Sequence, residues 1–329
     1  MVELPAVLRE ALEAELSGYS TGQLAQAAER LSQRYRADGP AVEPILTSAL
    51  DSAAYLAVRM PATYAAARQV FDRLAAAQPD FRPATLLDLG AGTGACTWAA
   101  AAAFPSLESS HLVDNSMHAL AAAERMLSSS RVQVTVTAAR VDQPTGWPRN
   151  SGFDLAVSGF LLGELEPETR DIAIDQMCTA APVVAIIEAG TSGGYRRVLA
   201  ARSALIAARR FVLAPCPHEQ TCPLEPAQDW CHFAVRLTRS IRHRQVKGAE
   251  RGYEDEKYAY VLASAQPPQH RSARILRHPQ IRTGHVRLTL CDIPPGAHEV
   301  TVSKRHGSQY RSARRAAWGD PWPPAENPG

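Results

Sequence analysis

Leu86-Leu87-Asp88-Leu89-Gly90-Ala91-Gly92-Thr93-Gly94-Ala95 decides how this chain folds. An apolar run carrying one acid ends in three glycines at every second position, and an alanine-rich, helix-compatible stretch follows. That pattern is a strand turning into a helix. The glycines let backbone pass close to a ligand, and the start of the helix offers unpaired N–H groups. A dinucleotide pyrophosphate takes G-x-G-x-x-G. The spacing here, Asp-x-Gly-x-Gly-x-Gly, is a different loop.

Outward from this loop, short apolar runs alternate with helix-compatible stretches at Thr85–Leu89, His111–Val113, Val132–Thr137, Asp154–Ser158 and Val183–Ile187. Five such runs predict an α/β fold with a doubly wound sheet. Phe233–Leu237 and Tyr258–Ala263 are expected to complete it as an antiparallel edge. Ahead of the sheet, helical spacing such as Leu24, Ala27, Ala28, Leu31 and Tyr35 predicts a helical N-terminal region over residues 1–80. Breaks are expected near Gly39-Pro40 and at Pro61. The sheet domain is placed at 81–265, with a cysteine-bearing loop at about 214–232. From Gln266 the composition turns to Pro, His and Arg around the alternating runs Val286–Leu290 and Glu299–Val302. Residues 266–329 are read as a small strand-rich, basic extension, ending in a disordered Pro-rich tail from Trp322 to Gly329.

In this context the glycine loop resembles motif I of class I methyltransferases, which implies S-adenosylmethionine as cofactor. The resemblance sets Asp88 toward the methionine amino group and Gly90, Gly92 and Gly94 against the ligand. Asp114, 20 residues after Gly94 at the end of the second run, suits the ribose hydroxyls. Asp142, after the third run, is placed near the adenine. The fourth run leads into Ser158-Gly159-Phe160-Leu161-Leu162-Gly163-Glu164-Leu165, with no Asn-Pro-Pro-Tyr type motif. Glu164 is read as a carboxylate on a surface turn rather than a base, so no catalytic residue is assigned.

Six cysteines fall into two groups. Cys96 and Cys178 stand singly in helical stretches, where a small buried side chain is the ordinary role. Cys216, Cys222, Cys231 and Cys291 follow the spacing C-x5-C-x8-C-x59-C, the first two flanked by prolines that stiffen a loop. In a reducing compartment a disulfide framework is not expected. Four thiolates suit a 4Fe-4S cluster or a tetrahedral zinc ion. Paired C-x2-C knuckles are absent, and the uneven spacing leans toward iron-sulfur. The Pro215-Cys216 pair also allows a nucleophile of the RNA 5-methylcytosine type, a reading that leaves the other three cysteines without a role. His218 and His232 are read as hydrogen-bond donors beside the site.

At 46% hydrophobic and 21% charged residues, with no long uninterrupted apolar run and no signal-like start, the chain reads as a globular protein of the cytoplasm, with no membrane partner. Its 32 arginines against three lysines, with abundant alanine, fit a GC-rich bacterial genome. The net charge of +2 hides an asymmetry. Residues 1–235 hold 18 basic against 25 acidic side chains, whereas residues 236–315 hold 17 against 6, a balance of plus 11. A basic C-terminal third points to a polyanionic partner.

The blocks Tyr55-Leu56-Ala57-Val58-Arg59-Met60-Pro61-Ala62-Thr63-Tyr64, the glycine loop, Ala214–Leu224, Asp229–Phe233, Asp255-Glu256-Lys257-Tyr258 and Trp318-Gly319-Asp320 together resemble the Rsm22-like family. That family includes mitochondrial small-subunit assembly factors related to methyltransferase-like protein 17. The resemblance implies a 4Fe-4S cluster on Cys216, Cys222, Cys231 and Cys291. It also implies a role on the small ribosomal subunit, in contact with 16S rRNA, in assembly or translation. The alternatives are an active S-adenosylmethionine-dependent rRNA methyltransferase and a zinc-bearing methyltransferase of a small molecule. A monomer with no DNA partner is expected.

Overall fold

The computed structural model describes residues 1–36, 44–142, 152–224, 229–294 and 296–323. Four helices lead: α1 (Ala6–Leu16), α2 (Thr21–Arg36), α3 (Ala49–Val58) and α4 (Met60–Ala77). Ser48 opens α3, its hydroxyl accepting the Asp51 N–H at 3.0 Å. Pro61 sits in the first turn of α4, where a missing N–H costs nothing. It therefore marks the predicted boundary, whereas the break expected at Gly39-Pro40 lies outside the described residues.

The sheet domain runs β1 (Thr85–Leu89), α5 (Ala95–Ala103), β2 (Ser109–Asp114), α6 (Met117–Leu127), β3 (Gln133–Ala138) and β4 (Leu155–Gly159). It continues α7 (Pro167–Ala180), β5 (Val183–Ala189), α8 (Ser192–Ala207), β6 (Phe211–Ala214), β7 (Phe233–Thr238), α9 (Ile241–Lys247) and β8 (Tyr253–Ser264). The strand order is β3-β2-β1-β4-β5-β8-β6, with β7 also on β8. Neighbours among the first five strands pair in parallel, while β8 is antiparallel to β5, β6 and β7. This is the strand order of the class I methyltransferase fold, and its reversal between β1 and β4 creates a ligand crevice at the strands' carboxyl ends. The antiparallel pair expected as an edge is split differently. β8 lies inside the sheet, its first half pairing with β7 and its last residues with β6.

The N-terminal helices share one hydrophobic core with α5, α6 and a face of the sheet, built around Tyr64, Phe71, Leu112 and Tyr260. Helices α7 and α8 cover the other face. Burying both faces explains why β4 and β5 are almost wholly apolar.

A second, antiparallel sheet follows: β9 (Ala273–Ile275), β10 (Gln280–Arg282), β11 (His285–Asp292), β12 (Gly296–Ser303) and, after α10 (Ser308–Arg315), β13 (Pro321–Trp322). Its small core holds Ile275, Val286, Leu288, Leu290 and Tyr310. The sequence places Trp322 in a disordered tail. Instead it is buried, its indole completing this core and its backbone pairing with Ala273. The rest of the tail, from 324 on, lies outside the described residues. No helix among the described residues is long and apolar enough to cross a membrane.

Candidate functional site

The loop glycines divide the work. All three have positive φ: 70° at Gly90, 53° at Gly92 and 80° at Gly94. A Cβ at Gly90 would lie 2.8 Å from the Leu161 side chain, and one at Gly94 2.9 Å from that of Leu127. These two glycines let neighbouring elements pack against the turn. A Cβ at Gly92 would meet nothing within 4 Å. That position opens on a cavity of about 1020 Å³ lined also by Gly90 and Asp114. Asp114 closes β2, its Oδ2 accepting the Gly92 N–H at 2.8 Å and its Oδ1 the Ser116 N–H at 2.8 Å.

Asp88 and Asp142 lie elsewhere. Asp88 is fully buried, and its Oδ2 accepts the backbone N–H of Thr97 at 3.1 Å and the hydroxyl at 2.8 Å, tying β1 to α5. Its Oδ1 has no partner, and burial pushes the carboxyl up to about 7. Asp142 is exposed and gripped by Arg140 through two 3.0 Å hydrogen bonds. Neither is among the residues lining the cavity.

The rest of the cavity wall is contributed by groups the sequence did not single out as site residues. Tyr35 of α2 and Tyr55 of α3 line it, as does Arg59 at the α3–α4 junction. Arg59 pairs with Glu256 through its two terminal guanidinium nitrogens, each at 3.2 Å, and lies 5.8 Å from the Phe160 ring centroid. Phe160, the first residue after β4, has φ 63°, a left-handed conformation costly for an aromatic residue. Glu188, near the end of β5, accepts the Leu162 N–H at 2.9 Å and Arg197 Nε at 2.8 Å. The signal for Glu188 is an acid at the carboxyl edge of an apolar strand, as for Asp114. Tyr55 and Arg59 belong to a block that carries the family resemblance, but nothing in their spacing assigns them a role.

Glu164 corrects the surface-turn reading. It lies in a 3-10 turn, Leu162–Glu164, half-buried at the cavity, and its carboxyl has no hydrogen-bond or ion-pair partner among the described residues. Burial, then the nearby Asp114 and Glu188, push its carboxyl up to about 8. An acid whose pKa is raised on folding holds its proton more tightly when folded, so stability is lost as pH rises from the unfolded value near 4.5 through about 8. Glu164→Gln is therefore expected to melt a few degrees above wild type at pH 8.5 and within a degree of it at pH 5. Thermal melts at the two pH values test this, and equal shifts at both would remove the electrostatic explanation.

Sequence-distant cysteines converge. Cys216, Cys222, Cys231 and Cys291 all line one cavity between α8, the loop after β6, the segment before β7, and β11. Tyr195 Oη donates to Cys222 Sγ at 3.2 Å, and His218 Nε2 stands 3.7 Å from Cys291 Sγ. Arg202 and Arg274 also line it. Arg202 holds the cysteine loop through the carbonyls of His218 (2.7 Å) and Gln220 (2.9 Å), and Arg274 bonds the Pro215 carbonyl at 3.0 Å. Burial and the neighbouring thiols push Cys231 well up and Cys291 to about 12. Burial likewise raises Cys216, the opposite of what an activated nucleophile needs. Among the described residues, no group of three or more His, Cys, Asp or Glu side chains is arranged to hold a metal ion. Cys96 and Cys178 are buried in α5 and α7, as expected. His232 stacks on Trp230, with ring centroids 5.4 Å apart.

A family model described as "Mitochondrial small ribosomal subunit Rsm22" matches residues 49–323, most of the chain. The chain belongs to the Rsm22 family. Among curated relatives, the human "Ribosome assembly protein METTL17, mitochondrial" is 31% identical over 287 residues, covering 82% of this chain and 62% of that protein. A Schizosaccharomyces pombe "Rsm22-cox11 tandem protein 2, mitochondrial" is 24% identical over 183 residues, 43% of this chain and 24% of that one. The chain thus spans less than two thirds of either relative's length. Among solved structures it is similar to the plantazolicin methyltransferase BpumL in complex with SAH. The TM-score is 0.39 at 12% identity, over 79% of this chain and 99% of that one.

The basic third of this Rsm22-family chain is not uniformly available to a partner. Arg236, Arg239, Lys247, Arg271, Arg277 and Arg287 each pair with an acid. Arg242 pairs with Glu13 and bonds the carbonyls of Leu16 and Tyr19, anchoring α9 to the N-terminal helices. By contrast Lys304, Arg305, Arg311, Arg314 and Arg315, on and just before α10, are exposed and have no acidic partner among the described residues.

Proposed function

We propose that this Rsm22-family chain is a small-subunit ribosome assembly factor that binds S-adenosylmethionine in the β1–β4 crevice and carries a 4Fe-4S cluster on Cys216, Cys222, Cys231 and Cys291. The observation that carries the reading is the gathering of those four cysteines, from positions up to 75 residues apart, round one cavity. The donor set fits such a group: four thiols, a tyrosine hydroxyl on one sulfur, and two arginines to offset thiolate charge. Four thiols would equally suit a tetrahedral zinc ion, and metal and sulfide analysis separates the two. When bound, the cluster would supply electron storage or a structural cross-link between the two sheets.

The ribosomal partner is supported by the family's description and by the human relative's name as a ribosome assembly protein. The contact would be with 16S rRNA, made in the cytoplasm by a monomer. Anaerobic purification followed by iron and acid-labile sulfide analysis, with co-sedimentation on small and large subunits, tests the reading. Near-equal iron and sulfide and selective small-subunit binding are expected. Stoichiometric zinc without sulfide, or equal binding to both subunits, would overturn it.

For the cofactor, Gly92→Arg is the discriminating variant. Its side chain enters open cavity rather than packed core, so calorimetric binding of S-adenosylmethionine should weaken at least about 100-fold. The fold should lose only the order of 1 kcal/mol that a left-handed non-glycine residue costs. Equal heats from both proteins would remove the cofactor assignment. A second reading, methyl transfer to ribosomal RNA, is favoured by one observation: Phe160 and the unpartnered Glu164 stand at the cavity just after β4. Methyl incorporation into small-subunit RNA would establish it, and binding without incorporation would leave the assembly factor alone.

A further inference from the structure

The cavity's charges are unevenly matched. Among the described residues, every cation lining it is already paired: Arg34 with Asp51, Arg59 with Glu256, Arg197 with Glu188 and Lys247 with Glu254. On the acidic side, Glu188 is neutralised by Arg197, and Glu29 of α2 accepts a hydrogen bond from Gln33. Among the described residues, the Asp114 carboxylate has two backbone N–H donors but no counter-charge, and the Glu164 carboxyl has neither. Tyr35 and Tyr55, which line the same space, carry no charge at neutral pH. Two carboxyls are therefore uncompensated, one on each flank of the glycine loop. Asp114 ends β2, and Glu164 follows β4, across the point where the strand order reverses.

We propose that Glu164, acting with Asp114, makes this cavity selective for a cationic ligand, so that the chain binds S-adenosylmethionine in preference to its neutral thioether product, S-adenosylhomocysteine. The inference rests on the cofactor reading above. If Asp114 takes the ribose and the glycine loop the methionine end, the sulfur between them would lie near the reversal point, where Glu164 lines the cavity on the β4 side. Loss of the methyl group removes the sulfonium charge and leaves the remainder of the ligand unchanged, so steric fit alone does not separate the two. A carboxyl at that place does, because even at a partly exposed site opposite charges a few ångströms apart are worth at least about a tenfold difference in affinity. Burial favours the protonated acid, so a cation arriving beside Glu164 displaces its proton. The chain would then respond to the supply of methylated cofactor and resist occupation by the demethylated form.

Calorimetry with three probes tests this: S-adenosylmethionine, S-adenosylhomocysteine, and sinefungin, which carries an amine in place of the sulfonium. Wild type at pH 7.5 is expected to bind the two cationic ligands at least about tenfold more tightly than the neutral one. It should also release a proton, seen as different heats in phosphate and in Tris. Glu164→Gln should bring the three affinities within about threefold and abolish the proton release, while Glu164→Asp retains part of both. Equal affinities in wild type, or a preference that survives in Glu164→Gln, would overturn the proposal with the cofactor reading intact. Failure of all three ligands to bind wild type would overturn both.

Discussion

Replacing Cys231 with Ser should strip iron and sulfide from anaerobically purified protein and lower its melting temperature by roughly 10 °C relative to the loaded wild type. The size of the effect follows from where the cavity sits. Cys216 and Cys222 belong to the loop after β6, Cys231 precedes β7, and Cys291 is on β11 of the second sheet. The hydrophobic contact at this junction is small: Tyr195, Cys222, Leu224, Leu276 and Cys291, with Trp230 and Leu199 beside them. A group bonded to all four sulfurs closes a loop of 59 intervening residues, and its binding energy becomes folding energy for both segments. Without it, the second sheet is held by the packing of Trp318 against Phe233 and His232 and by a few polar ties. Arg274 bonds the carbonyls of Pro215 and Gly319, and ion pairs join Arg73 to Asp320 and Arg277 to Asp229. The second sheet should then become the first part of the molecule cut in limited proteolysis. Chelator-treated wild type should melt like Cys231→Ser, which separates loss of the group from damage by the substitution. A variant that keeps its full iron and sulfide would exclude Cys231 as a ligand.

Sequence reasoning reads the fold where a pattern is local and fails where tertiary packing decides. The five parallel strands are legible because each is an apolar run bounded by turn residues, and the glycine loop marks the end of the sheet where the large cavity lies. β6 is not, since Phe211–Ala214 is only four residues long and runs straight into the proline-flanked cysteine loop. Trp322 looks like tail because its neighbours are prolines, yet an edge position asks little of backbone N–H groups and a small sheet gains from one large buried ring. The glycines and Asp114 are found by spacing. Tyr35, Tyr55 and Arg59 come from helices outside the motif-bearing domain, and only the packing of α2 and α3 over the crevice brings them to it. The arginine count misleads in a similar way. It registers Arg242 as a partner-binding cation, but the fold engages that side chain with two helix-end carbonyls and Glu13.

Reversing Arg311, Arg314 and Arg315 to Glu should weaken small-subunit binding by well over tenfold at moderate salt and flatten its salt dependence, leaving cofactor binding unchanged. Helix α10 is fixed to β11 by buried Tyr310 and Ala313, which turns these three arginines outward on a rigid support. Lys304 and Arg305 extend the cluster by one turn, and none of the five is neutralised within the described chain. An unpaired guanidinium keeps its planar fork free for phosphate contacts or stacking on an unpaired base. Every phosphate that a variant leaves unneutralised should reduce the slope of log affinity against log salt by about 0.7 to 0.9, so removing three cations lowers it by roughly 2 to 3. Reversal also places negative charge at the carboxyl end of the helix, which costs a fraction of a kcal/mol per residue. The triple Arg→Gln variant avoids that cost and should show most of the same reduction in slope. Co-sedimentation of wild type and both variants with small subunits across a salt series gives the three slopes. Unchanged slopes in both variants would move the RNA contact off α10 and onto the sheet-bound arginines, whose charge is already offset by acids of the fold.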